Sequence, residues 1–298
     1  MKRLWILFLL TALFLCGCSQ SGEPANIAAT TLPVWEFTAQ LCQNTPLTVA
    51  RLVTEEVSCL HDYSLNVRQV KAAEAAEVIV ISGAGLEEFM EDILLTSDII
   101  DASAGIELLV PEDHHHEEAH EDHLEESHEG HSHEQDPHIW LSPANASIMA
   151  ENICRGLVLR YPQYREIFAR NLQILQQELD RLNSYGQEQL RELSCRELIT
   201  FHDGFSYLAE SFDLHILQAI EEESGREASA KELIRLIEEV EHHDLPAIFT
   251  EKSGSVSAAG IIASETGCGS FPLDMAMAGN SYFDAMYHNI NILKEALE

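Results

Sequence analysis

Histidine and carboxylate side chains dominate one stretch of this chain. Between Asp113 and Gln135, eight histidines (His114, His115, His116, His120, His123, His128, His131 and His133) alternate with aspartate and glutamate and run directly into Asp136-Pro137-His138-Ile139-Trp140-Leu141-Ser142-Pro143. Neutral imidazole is a good ligand for zinc and other late first-row ions, and a dense field of carboxylates draws in any cation. The run holds almost no apolar residue, cannot bury a core, and so reads as a mobile, metal-collecting loop with weak auxiliary sites. His116-Glu117-Glu118-Ala119-His120 also satisfies the H-E-x-x-H pattern of zinc hydrolases. That pattern works only on a helix with one packed face, and the flanks carry no apolar period to anchor one.

Other candidate ligands lie far apart in sequence and need a scaffold to meet. Asn26 to Thr30 and Leu47 to Val53 suit strands, with Val34, Phe37 and Leu41 at helical spacing behind Pro33 between them, and Val67, Val70 and Ala73 suit a short helix. Val78-Ile79-Val80-Ile81 is a continuous apolar run, as expected of a strand covered on both faces. It ends in Ser82-Gly83-Ala84-Gly85, a tight turn that does not continue into a dinucleotide fingerprint, before a helix from Leu86. Past the histidine run, Ile148, Ile153, Leu157 and Val158 mark one helix. Pro162 opens another reaching about Leu193, up to roughly 45 Å at 1.5 Å per residue, long enough to cross between lobes. The rhythm then restarts: strands at Leu198 to Phe201, His215 to Ile220, Ala247 to Thr250 and Phe271 to Leu273, a capping box at Ser229 and Glu232, and a closing helix from Phe283 to Leu297. Short buried strands alternating with helices mean parallel α/β sheets.

On this scaffold His61, His202, Glu251 and Asp274 each stand at the carboxyl end of a predicted strand, the edge where open α/β sheets bind ligands, and His138 follows a direction-fixing proline. Two facing lobes would bring such groups around one ion. Three imidazoles and one carboxylate satisfy tetrahedral zinc at about 2.0 to 2.2 Å per bond and leave no open position for a substrate water. Glu251 reads as a ligand, as a hydrogen-bond partner orienting a ligating histidine, or as a solvated acid beside Lys252. Asp274 alone could also cap the next segment of chain.

The ends and composition narrow the class. Lys2 and Arg3 precede the apolar stretch Leu4 to Leu15, and Leu15-Cys16-Gly17-Cys18 comes next, so residues 1–17 read as a secretory signal with a lipobox ending at Cys18 and residues 18–25 as a tether. The formal charge of -33 argues against nucleic acid as a partner and favours cations. Eleven acids between Glu112 and Asp136, without Lys or Arg, supply part of it. Cys42, Cys59, Cys154, Cys195 and Cys268 show no C-x-x-C spacing and are not a zinc ribbon; an exported protein could pair some of them.

These pieces together are identified as a resemblance to the zinc and manganese solute-binding lipoproteins of ABC importers, the metal-binding cluster A-I. It is carried by the lipobox, His61-Asp62-Tyr63, the His-rich insertion, Asp136 to Pro143, Thr200-Phe201-His202-Asp203-Gly204-Phe205-Ser206-Tyr207, Ile248-Phe249-Thr250-Glu251 and the helix from Tyr282 to Leu297. The resemblance implies two α/β lobes with parallel sheets, residues 26–160 (including the loop 113–135) and 194–298, joined by one long rigid helix over 161–193 with the metal in the cleft between them. It implies the ligands His61, His138, His202 and Asp274, with Glu251 as alternative or supporting group. Ser64 and Leu65 stand where members usually carry glutamate and proline, and the segment from Asp274 to Tyr282 is short. Histidine at the third position suggests zinc, with manganese, copper and nickel ranked below it.

The expectation is a non-enzymatic, monomeric receptor, exported and lipid-anchored at the outer face of the cell membrane or periplasmic, that hands zinc to an ABC permease and its ATPase. Because ligating imidazoles must be neutral, its affinity should fall as pH drops below about 6.5. The alternatives are a secreted zinc hydrolase using His116, Glu117 and His120, and a metal-buffering or adhesive surface lipoprotein.

Overall fold

The structure, a computed structural model, describes residues 25–57, 60, 63–110, 135–219, 229–252 and 257–298. The leader with Cys18, the tether to residue 24, Cys59, His61 and the eight loop histidines fall outside the described residues.

The first unit runs β1 (Ile27–Ala29), α1 (Leu32–Leu41), β2 (Val49–Arg51), α2 (Val67–Ala75), β3 (Val78–Ile81), α3 (Glu91–Leu94) and β4 (Ile99–Asp101). After α4 (Pro143–Arg160) and α5 (Arg165–Gln189), the second runs β5 (Glu197–Thr200), α6 (Ser206–Ser211), β6 (His215–Ala219), α7 (Ala230–His242), β7 (Ala247–Glu251), α8 (Ser257–Thr266), β8 (Gly269–Leu273) and α9 (Tyr282–Leu297). Each unit builds an all-parallel sheet of four strands, ordered β2-β1-β3-β4 and β6-β5-β7-β8. The α/β expectation holds, and both sheets share one winding order.

One face of each sheet looks into a common core and the other into a small cluster of its own. Ala29 and Val80 belong to the core that also contains Trp140, Phe205, Phe249 and Tyr282. Ala28 and Ile79 face a separate cluster with Leu52, Ala73 and Met90, while Ile199 and Ile248 pack with Leu236, Val240 and Ile262. Burial on both faces explains the unbroken apolar run of β3.

The connecting helix is shorter than its pattern predicts. Pro162–Tyr164 is a 3-10 turn, and α5 spans 25 residues, about 37 Å at 1.5 Å per residue. Its early turn is fixed to the first unit by Asn171, whose Nδ2 donates to the carbonyls of Leu41 and Gln43, both at 2.8 Å. Near its end Gln187 Nε2 donates to Ser211 O at 2.7 Å. Past its end the Arg196 guanidinium collects the carbonyls of Leu190 and Arg191 at 3.0 and 2.8 Å and holds the turn that leads to β5.

The capping box of α7 forms as predicted, with Ser229 Oγ accepting from Glu232 N and Glu232 Oε2 from Ser229 N. The helix expected from Leu86 is a 3-10 turn, Glu88–Met90, continued by the single turn of α3. Three elements, β4, α6 and α8, have no counterpart in the sequence reading. Cys42, Cys154, Cys195 and Cys268 are free thiols, so the pairing considered for an exported chain is absent among the described cysteines, and burial pushes Cys42 up to about 12. Among the described residues no helix is long and apolar enough to cross a membrane.

The Gly83-Ala84-Gly85 turn forms with φ of 85° and 88° at the glycines, values that glycine adopts without strain, and 56° at Ala84 between them. Glu87 clamps it: its carboxylate accepts from Ser82 N at 2.7 Å, Gly83 N at 3.0 Å and Thr30 Oγ1 at 2.6 Å. Three donors favour the charged form, yet burial outweighs them and raises this carboxyl to about 7. A raised folded-state value contributes stability that is fully present below the ordinary carboxyl value of 4.5 and is lost as pH rises through about 7. Glu87→Gln, which turns an amide toward these donors, should destabilise by about 1–3 kcal/mol at pH 5. The gap to the native chain should narrow toward pH 8, as thermal melts of the pair across that range would show; a constant gap would mean that Glu87 does not titrate there.

Candidate metal centre

His138 lies on the segment that enters α4. Behind it Ile139–Leu141 forms a fully buried 3-10 turn, and Ser142 caps α4 with its Oγ while Pro143 takes the first helical position. The imidazole is 4 % exposed, and its orientation is imposed by Asp136, whose Oδ1 accepts from the His138 backbone N–H at 2.9 Å and stands 2.8 Å from Nδ1. A carboxylate against Nδ1 holds the proton there and presents the Nε2 lone pair, the arrangement that supports a metal-ligating histidine. Asp136 is steadied in turn. Its carbonyl accepts from the Tyr207 hydroxyl at 3.0 Å, and burial pushes that hydroxyl up to about 12, so it keeps its proton.

The second imidazole arrives from the other unit. His202 follows β5 and precedes the turn Asp203–Phe205, and its ring lies 5.2 Å from that of His138, centroid to centroid, with the planes at 85°. Gly204 permits this approach. A Cβ there would stand 2.8 Å from His202 Cδ2, 2.9 Å from His138 Cε1 and 2.7 Å from the methyl of Met275, so no larger residue fits without moving the pair.

Glu251 ends β7 and Asp274 follows β8, so with His202 they occupy the carboxyl ends of three neighbouring strands. Glu251 is 6 % exposed, which rules out the solvated acid considered for it. Both acids line a cleft of about 20 Å³ that also touches Lys252, Met275, and Glu56 and Val57 of the first unit, room for one water-sized particle. Asp274 is engaged within the protein. Its Oδ1 accepts from Ala276 N at 2.8 Å, so it does cap the turn after β8, and its Oδ2 accepts from Lys252 Nζ at 3.1 Å.

The structure therefore brings His138 and His202 together and places both acids at the same sheet edge. Among the described residues no three His, Cys, Asp or Glu side chains are grouped so that they could hold a metal. His61 lies outside the described residues, but the chain on either side of it is held: Leu60 is buried, and the Tyr63 hydroxyl donates to Glu55 at 2.8 Å and accepts from Gln69 at 2.6 Å. Sequence reasoning missed the orienting role of Asp136, for which the two-residue spacing to His138 was the available signal. It also missed the packing of Met275 and the hold of Lys252 on Asp274, for which no local signal exists.

Known proteins resemble this chain in sequence and fold. Residues 27–296 match the family model described as ZnuA, zinc-uptake complex component A, periplasmic. The zinc-binding lipoprotein AdcA of Streptococcus pneumoniae is 29% identical over 322 residues, covering 100% of this chain, which spans only 62% of that protein. The high-affinity zinc uptake system protein ZnuA of Bacillus subtilis is 28% identical, over 98% of this chain and 97% of its own length. A crystal structure of ZnuA superposes with a TM-score of 0.76 at 27% identity, covering 92% of this chain and 100% of that one.

Asp136→Asn keeps the size of the side chain and an acceptor for Nδ1 but removes the charge behind His138. It should weaken zinc binding by about tenfold, read by chelator competition, with the fold unchanged by circular dichroism. Unchanged affinity would assign Asp136 to holding the loop alone.

Proposed function

Because the chain belongs to the ZnuA family of periplasmic zinc-uptake components, we propose that it is the extracytoplasmic receptor of an ABC importer, capturing zinc between its two units and passing it to a membrane permease. The observation that carries this reading is the meeting of two imidazoles from different units, 5.2 Å apart, one of them oriented by a buried carboxylate. His138 and His202 supply two nitrogen ligands, His61 a third, and a carboxylate from Asp274 or Glu251 the fourth. A shell closed in this way has no position for a reacting water, which makes it a site for carrying an ion and not for hydrolysis.

The remaining parts rest on the sequence. Cys18 is the lipidated residue that tethers a monomeric receptor to the outer face of the membrane, and an ATPase drives the permease it feeds. The eight histidines between residues 113 and 135 hold ions weakly and raise the local zinc concentration, whereas the cleft binds one ion tightly because its ligands are pre-placed. Release proceeds through local movement of a ligand-bearing segment when the permease docks, since one packed core runs through both units and resists wide opening. The hydrolase alternative would rest on His116, Glu117 and His120 alone.

Zinc stoichiometry and affinity of the chain from Ser21, with and without residues 113–135, separate these readings. The loop-deleted protein should keep one tight zinc, and His202→Ala within it should weaken that site by orders of magnitude. Loss of tight binding with the loop would instead make the protein a histidine-tract binder or an enzyme.

A further inference from the structure

We propose that Lys252 sets the metal preference of this site by occupying Asp274, withholding an anionic oxygen from the incoming ion and so favouring zinc over manganese. The inference rests on the cleft reading above and goes beyond it, because it concerns a side chain that binds no metal.

The placement of the ammonium is dictated by the sheet. β7 and β8 pair in register to Glu251 and Leu273, and Lys252 N–H then donates to Leu273 O at 2.9 Å, carrying the ladder one residue past the strand. This fixes the root of the lysine beside Asp274, whose own backbone is clamped by Asn289: Oδ1 of Asn289 accepts from Asp274 N and its Nδ2 donates to Asp274 O, each at 2.7 Å. The Lys252 Nζ to Asp274 Oδ2 contact of 3.1 Å thus joins two fixed roots, with the carboxylate 17% and the lysine 56% exposed. Of the two partners of the carboxylate, the Ala276 N–H on Oδ1 belongs to the backbone, and only the half-exposed lysine can swing away. An ion that takes Asp274 through Oδ2 competes with Lys252 for that oxygen.

That competition does not weigh equally on different ions. Zinc is held well by imidazole nitrogen, whereas manganese stands at the weak end of the divalent series and depends on carboxylate oxygen. Masking one carboxylate costs manganese more than zinc. The mere repulsion of a cation by Lys252 would disfavour both dications alike, and it is the coupling through Asp274 that discriminates.

The test uses the chain from Ser21 without residues 113–135. Zinc affinity is measured by chromophoric chelator competition and manganese affinity by the electron paramagnetic resonance of free Mn(II), for Lys252→Met, Lys252→Arg, Asp274→Asn and the Lys252→Met/Asp274→Asn pair. Lys252→Met should tighten manganese by about fivefold, the scale of a partly exposed ion pair, and zinc by less. Lys252→Arg should keep the native ratio, and the gain in ratio should vanish when Asp274 is already asparagine. An unchanged ratio in Lys252→Met, or the same gain in the Asp274→Asn background, would overturn the proposal. Absence of any tight zinc in the unsubstituted protein would remove the cleft reading itself, and the proposal with it.

Discussion

The arrangement depends on Trp140, two residues beyond His138 and fully buried between the units. Its indole N–H donates to Met275 O at 2.8 Å, and its own carbonyl accepts from the Tyr282 hydroxyl at 2.8 Å. A buried indole or phenol needs a partner for its polar atom, and here each finds one on the opposite unit. The segment between β8 and α9 is thereby drawn across to the first unit. Leu32 N–H donates to Met277 O at 3.2 Å, Arg51 Nη1 to Gly279 O at 2.8 Å, and Glu36 accepts from Ser281 and Tyr282 at the start of α9. Burial raises the Glu36 carboxyl and keeps the Tyr282 hydroxyl protonated, so the latter remains a donor.

This stitching has a functional consequence. A receptor that closes by hinging needs an interface that can part, and interfaces of that kind are small and polar. Here the common core contains side chains from both sheets, α5 is bonded at one end to Leu41 and Gln43 and near the other to Ser211, and the Trp140 bonds are buried. Parting the units would expose that core. Ligand segments at the rim of the cleft are the cheaper elements to move.

Much of the fold was legible because its signals are local. The two-sided burial of β3 shows as an unbroken apolar run, the Ser229 capping box as a four-residue spacing, and the histidine beyond β5 as a motif at a strand end. What escaped was either weakly patterned or long-range. β4 is three residues with only Ile100 buried, and α8 buries little more than Ala258, Ala259 and Ile262, so neither writes a period into the sequence. The turn after α5 is held by Arg196, several residues downstream. For the site, the types and strand-end positions of His202, Glu251 and Asp274 were legible from the chain, but the strand order that makes them neighbours, and the register that sets Lys252 on Asp274, exist only in the folded sheet.

The two sheets wind alike, yet among the described residues their carboxyl edges are used differently. In the first, the edge beyond β1 and β3 is filled by the Gly83–Gly85 turn, and its acid, Glu87, is spent on two backbone N–H groups and a threonine. In the second, His202 follows β5, Glu251 ends β7 and Asp274 follows β8, and the two acids line a cleft. The described contribution of the first unit is the His138 segment, brought to the second by the Trp140 contact. A parallel sheet puts strand ends side by side whatever residues they carry; what each end can do depends on how firmly the fold's own hydrogen bonds hold it. Glu87 shows the firmly held case. Asp274, with one oxygen committed to Ala276 and the other to a lysine that can leave, is held only in part.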